Sequence, residues 1–473
     1  EQMNLFKDMV CYQEEVRDPS RMAEVLNRVI EKAIRGSAPA QINVPRDYWT
    51  QVIDIELPTI IRMERNSGGA QAVKSAAELL SSAKFPVILS GAGVILADAI
   101  DDCKALAEKL DAPVACGYQH NDSFPGSHPL AIGPLGYNGS KAAMEIISKA
   151  DVVLALGTRL NPFSTLPGYG IDYWPKQASI IQVDINSDRI GLAKKITVGI
   201  CGDAKLVTQQ ILEQLSSSAG DEGREERRAL IHQTKSAWLQ TLTSLDHEED
   251  DPGTTWNKDS RERDPERMSP RVAWRAIQAG IPQDTIISSD IGNNCAIGNA
   301  YPTFEKGRKY LAPGLFGPCG YGFPSILGAK IGCPNTPVIG FAGDGAFGIS
   351  MSEMTSCNRK EWPNITMVIF RNYQWGAEKR NSILWYDNNF VGTELDPELS
   401  YAKIAEACGS KGVEVKTPSE LTEAIKTSCV EQQKGITTFI EVILNQELGE
   451  PFRRDAMKKP VHVAGINSGD MQN

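Results

Sequence analysis

The chain has 473 residues, 41% of them hydrophobic, enough for two or three domains each with its own core. A formal charge of −10 argues against nucleic acid as a partner, and no apolar run reaches membrane-spanning length. The ten cysteines form no C-x-x-C pair and the five histidines are scattered, which points away from zinc and from a disulfide framework; a reduced cytoplasm is the simplest compartment.

Residues 1–60 contain one clear helix, from about Pro19 to Arg35, and a strand at Gln41-Ile42-Asn43-Val44. That is too little for an independent domain, and the segment reads as the closing part of a domain whose front is missing. A charged connector, Arg62 to Gly69, follows. Residues 72–215 alternate helices with the strands Pro86–Ser90, Pro113–Ala115, Val152–Leu156 and Ser179–Asp184, the pattern of a doubly wound parallel sheet. Gly91-x-Gly93 lacks the third glycine of a dinucleotide fingerprint, so a tight turn is favoured over a nucleotide site.

Residues 216–268 are polar and charge-dense; 222–244 should be helical, and the remainder, with Glu248-Glu249-Asp250-Asp251, should be a solvated linker. A third α/β block spans 269–448. It opens with Ser269-Pro270, an N-cap followed by proline in the first turn. Strand Thr285–Ser289 runs into Asp290-Ile291-Gly292-Asn293-Asn294, a glycine-rich stretch covers 314–332, and Thr438–Ile443 is the last strand. The tail 449–473 carries Arg453, Arg454, Lys458 and Lys459.

The most informative feature lies in that third block. Two buried strands, Val338–Ala342 and Ile365–Phe370, each end near a hard oxygen ligand: Asp344, between Gly343 and Gly345, and Asn372, after Arg371. The glycines let backbone approach a phosphate closely, and the oxygens suit Mg²⁺, which keeps phosphates in its octahedron. The alternative is an ordinary strand-to-loop turn. The spacing, 25 residues between Gly345 and Arg371, matches the metal–diphosphate motif of thiamine-diphosphate enzymes, although that motif usually ends Asn-Asn where this chain has Arg371-Asn372.

With Ser37–Asp47, Phe124–Leu130, Gly133–Gly136 and Ala150–Gly157, this motif makes the chain resemble thiamine-diphosphate enzymes of the acetolactate synthase type over nearly its whole length. The resemblance implies a three-domain α/β architecture of parallel sheets flanked by helices. Residues 1–60 would be the remnant of the pyrimidine-binding domain, 72–215 a central Rossmann-like domain, 216–268 a linker, 269–448 the diphosphate- and Mg²⁺-binding domain, and 449–473 a tail. The stretches Tyr118–Asp122, Asn372–Asn381 and Gln446–Asp455 resemble the branch of that family that turns sulfoacetaldehyde and phosphate into acetyl phosphate and sulfite.

By resemblance, Asp344, the Asn372 side chain and the Gln374 carbonyl hold Mg²⁺. Asn293 and Asn294, with amides near Gly292, Gly345 and Ala346 beside Gly343, bind the diphosphate. Gly317 accepts a hydrogen bond from the aminopyrimidine, and Cys319 lies under the thiazolium ring, where relatives carry a larger apolar residue. Lys379 and Arg380 are candidates to hold sulfonate or phosphate, and Trp385 to line the substrate pocket; the plainer readings are exposed helix charges and a packing tryptophan. The family's activating glutamate belongs to a region this chain does not include, so the chain as it stands is expected not to turn over. A homodimer or homotetramer is implied. Two alternatives stay open: a related enzyme acting on 2-oxo acids, and a non-catalytic cofactor-binding protein.

Overall fold

In the computed structural model, residues 1–59, 64–244, 255–314, 316–359 and 361–448 are described, with the backbone path only at 244, 255–258, 384 and 385. The chain divides into two compact units, residues 1–65 and the remainder.

The first unit is a small βαβ layer. Strands β1 (Tyr12–Glu15) and β2 (Ala40–Asn43) pair in parallel, joined by a crossover helix, Met22–Gly36. Asp18 starts the crossover by accepting from the Ser20 amide at 2.9 Å, and Pro19 opens a 3₁₀ turn ahead of the helix. Ser37 ends it in the left-handed region at φ 45°. Val16, Val25 and Val29 form the small core.

The second unit contains two six-stranded, all-parallel sheets. The first takes β3 (Pro86–Ser90), β4 (Val114–Cys116), β5 (Ala131–Pro134), β6 (Val152–Leu156), β7 (Ser179–Asp184) and β8 (Val198–Cys201) in the order 5-4-3-6-7-8. Strands β3, β6 and β7 are buried almost throughout because helices cover both faces. The Gly91–Gly93 turn is packed tightly: a Cβ on Gly93 would stand 2.6 Å from the Gly157 Cα.

The second sheet takes β9 (Ile286–Ser289), β10 (Tyr310–Leu311), β11 (Val338–Gly343), β12 (Thr366–Arg371), β13 (Lys411–Val415) and β14 (Thr438–Ile443) in the order 10-9-11-12-14-13. Strand order reverses between β9 and β11, so the connections leave in opposite directions and a crevice opens at the carboxyl ends of the strands. Trp274 packs on Phe341 and Phe370 with ring centroids 4.8 and 5.4 Å away, fixing one face of this sheet.

The charged segment between the sheets departs from the expected linker. The helix expected over 222–244 is present as Arg224–Ser244, with Trp238 buried edge-on against Tyr169. Arg227 staples its start to the first sheet by donating to the carbonyls of Asp111, Lys84, Glu222 and Gly220. Where solvated chain was expected, Thr255–Arg263 is also helical. Ser260 is buried and accepts from the Gln446 amide, and Arg261 forms a two-pronged pair with the buried Glu447, so this segment is built into the fold. The acidic run 248–251 lies outside the described residues.

The loop Tyr118–Asp122 interlocks the two sheets. Asn121 donates to the carbonyls of Asn299 and Pro302, and Asp122 accepts from the amides of Lys309 and Tyr310 at the start of β10.

Candidate functional site

The crevice at the ends of β9, β11 and β12 collects nearly all the residues that the motifs single out. After β11, Asp344 starts a helix, Asp344–Ser350, whose first turn includes Gly345 and Ala346. Asp344 is buried, and its oxygens accept from the Gly345 amide (3.0 Å), the Tyr373 amide (2.7 Å) and Arg371 Nη1 (3.1 Å). Burial pushes its carboxyl up to about 6, against the opposing pull of Arg371 and the two amides.

After β12, Asn372 is buried, only 2% exposed. Tyr373 sits at φ 60°, a strained position for an aromatic residue, held by the amide bond to Asp344 and by Arg371 and Arg267 over its ring at 4.3 and 4.7 Å. This reversal turns Gln374 into an antiparallel bridge with Glu394. The bridge uses the Tyr373 carbonyl and the Trp375 amide and leaves the Gln374 carbonyl without a described donor.

After β9, Gly292 adopts φ 118° and starts the short helix Asn293–Ile297. Asn293 and Asn294 are each 5% exposed, yet Asn293 Oδ1 and Nδ2 and Asn294 Oδ1 find no hydrogen-bond partner among the described residues. Orphaned buried amides are costly, of the order of 1–3 kcal/mol each, and are tolerated where a ligand completes them. Asn293 Nδ2 lies beside Gly376, 3.3 Å from where a Cβ would stand, so β9 and β12 furnish one site. Gly343 meets nothing within 4 Å of its missing Cβ, whereas Gly345 is covered by Trp375, 2.9 Å from its own. A hard-oxygen set, orphaned amides and open space beside glycine fit a metal–diphosphate group.

Two residues that the motifs did not single out hold this arrangement. Asp290 accepts from the amides of Gly322 (2.6 Å) and Gly320 (3.1 Å) and ties the glycine-rich loop to β9. Burial raises its pKa against these amides. The loop places Gly317 at φ 60° beside Ile291, and Cys319 is half-buried with its thiol pushed up by burial. Arg371, the departure from the usual motif, is buried between Asp344 and Glu441 and donates to the carbonyls of Asp396 and Leu399. Neither role had a signal in local sequence, since both depend on contacts across strands.

The helix Gly376–Trp385 carries the substrate-pocket candidates. Arg380 donates to Tyr137 Oη at 2.7 Å, reaching the other sheet's loops. Lys379, expected to meet an anionic substrate, is instead only 2% exposed and ion-paired with Glu394. Trp385 ends the helix, and its side chain lies outside the described residues, as does the tail with Arg453 and Arg454.

Residues 73–212 match the model of the thiamine pyrophosphate enzyme central domain, and 290–442 that of the C-terminal TPP binding domain. The whole chain is 76% identical to a probable sulfoacetaldehyde acetyltransferase of Rhizobium meliloti, covering 80% of that protein, and 72% identical to a sulfoacetaldehyde acetyltransferase of Roseovarius nubinhibens, covering 78%. The chain belongs to the sulfoacetaldehyde acetyltransferase family. A probable acetolactate synthase large subunit of Methanococcus aeolicus is more distant, at 28% identity over 90% of this chain. Within the thiamine pyrophosphate enzymes, the sulfoacetaldehyde acetyltransferase family is thus the branch whose cofactor-binding domain supplies the crevice described above. Among the described residues, no helix is long and apolar enough to cross a membrane.

Proposed function

We propose that the protein converts sulfoacetaldehyde and phosphate into acetyl phosphate and sulfite, a step of organosulfonate breakdown, in the cytoplasm and as a homodimer or homotetramer, with thiamine diphosphate and Mg²⁺ as its cofactors. The observation that carries this reading is 68–76% identity, over the whole chain, to three relatives with that acetyltransferase name. The 2-oxo acid alternative rests only on relatives at 26–28%.

Bound thiamine diphosphate supplies a carbon nucleophile for the aldehyde and an electron sink for the cleavage that follows. The residues of this chain hold and orient it. Asp344, the Asn372 side chain and the Gln374 carbonyl are the oxygen ligands for Mg²⁺, and the orphaned amides of Asn293 and Asn294, with the backbone at Gly292, Gly343, Gly345 and Ala346, receive the diphosphate. Gly317 and Cys319 lie on the loop that Asp290 fixes and would support the thiazolium and pyrimidine end of the bound cofactor. Arg380 is the cation for sulfonate or phosphate, since a guanidinium matches either anion with two parallel hydrogen bonds.

The test is product analysis with the full-length protein. Equal amounts of sulfite and acetyl phosphate from sulfoacetaldehyde, with no carbon dioxide from pyruvate, are expected; the reverse pattern would establish the 2-oxo acid reading. Arg380→Ala should raise the KM for sulfoacetaldehyde or phosphate roughly tenfold or more while cofactor affinity stays intact. Unchanged kinetics would remove Arg380 from the site.

A further inference from the structure

Lys379 looks from sequence like a substrate-binding cation, but its surroundings belong to a different device. Its ammonium is paired with Glu394 and lies 5.3 Å from the Phe390 ring centroid. The other Glu394 oxygen accepts from Gln446 Nε2 at 3.2 Å. The Gln446 carbonyl accepts from Gln374 Nε2 at 3.0 Å, and Gln374 stands opposite Glu394 in an antiparallel bridge whose hydrogen bonds are made by the flanking residues, Leu395 to Tyr373 and Trp375 to Thr393. Lys379, Glu394, Gln446 and Gln374 thus form one polar network, running in that order and folded back by the bridge, beside the turn that follows β12.

The network is anchored from behind. Gln446 Oε1 accepts from Arg263 at 2.7 Å and its amide donates to Ser260, while the neighbouring Glu447 is gripped by Arg261. Three separate stretches of chain therefore converge on Gln374: the helix Thr255–Arg263, the strand-like 393–395 segment, and residues 445–447 after β14. The side chains of Lys379, Gln374 and Gln446 are buried, so an unmet polar group on any of them is expensive, whereas the Glu394 side chain is 58% exposed and meets them from the solvent side.

We propose that Lys379 and Glu394 are positioning residues, a brace that fixes the Gln374 carbonyl as a metal ligand, and that Lys379 does not bind the substrate anion. The inference rests on the metal reading above. An outer contact of this kind sets the orientation of a ligand and is worth roughly ten- to a hundredfold in metal affinity. It also explains how a lysine can be conveniently placed beside the cofactor site and still have its charge committed. Arg380, one residue on, is directed to Tyr137 instead.

The experiment is a double-mutant cycle on the full-length protein, with Lys379→Met, Glu394→Gln and the pair. Thiamine diphosphate binding is followed by calorimetry at fixed Mg²⁺, and substrate KM is measured at saturating cofactor. The brace predicts that each single variant weakens Mg²⁺-dependent cofactor binding roughly tenfold, that the double variant is little worse than either, and that substrate KM is unchanged. Lys379→Arg should restore much of the affinity. A raised substrate or phosphate KM in Lys379→Met, with cofactor affinity unchanged and Glu394→Gln silent, would overturn the inference and return Lys379 to the substrate. If the unsubstituted protein binds the cofactor equally well with Mg²⁺ and with a chelator, the metal reading fails and the brace fails with it.

Discussion

Asp344 shows how much one residue's surroundings matter. Between two glycines at the end of a buried strand it is recognisable as a candidate ligand, but its geometry depends on Arg371 and the Tyr373 amide, which occupy one oxygen and leave lone-pair capacity on the other. Asp290 does the equivalent for the glycine-rich loop, and its partner Gly322 has no room to spare. A Cβ there would lie 2.7 Å from the Phe341 carbonyl oxygen and 3.1 Å from the Asp290 amide, both rigid backbone atoms. Gly322→Ala should therefore destabilise the fold by about 1–3 kcal/mol in a denaturant titration. A change below about 0.5 kcal/mol would mean that the loop is not held as tightly as these distances require. The candidate ligands Asp344 and Asn372 were legible in the sequence because glycine and oxygen residues at strand ends form a local pattern. Asp290, Glu394 and Gln446 were not, because each acts on residues far away in the chain.

At the scale of elements, the same distinction holds. Strands β3, β6, β7, β11, β12 and β14 are buried on both faces and read as apolar runs. Strands β5 and β8 carry little signal in the sequence because they are short edge strands, the first carrying Gly133 and Pro134. Helix Pro418–Gln432 is marked in the sequence by its capping box, Thr417 and Glu420. The interlocking loop Tyr118–Asp122 was visible only as a motif; its work is mechanical, and it carries a pH dependence. Burial, aided by Arg159, lowers the His120 pKa from 6.5 to about 4. As pH falls below 6.5 the unfolded chain takes up a proton that the folded chain refuses until about 4, so folding stability is lost across that window. His120→Gln should flatten the decline of Tm between pH 6.5 and pH 4, and an identical slope in the variant would show that His120 is not its source.

For the larger unit as a whole, two parallel sheets with different strand orders are joined so that one carries the crevice and the other reaches its neighbourhood through the hydrogen bond of Arg380 to Tyr137. The helices between them are part of this assembly, since Arg227 grips the first sheet and Arg261 and Arg263 grip the end of the second. The reversal between β9 and β11 explains why Asn293, Asp344 and Asn372, distant in sequence, meet at one crevice. The central claim is that this crevice holds a metal-bridged diphosphate. Calorimetric titration of thiamine diphosphate into the full-length protein and its Asp344→Ala variant, with Mg²⁺ or with a chelator, tests it most directly. The account predicts binding that chelation weakens severely and that the variant loses whether or not Mg²⁺ is present. Binding of equal strength in the chelated protein, or in the variant, would contradict it.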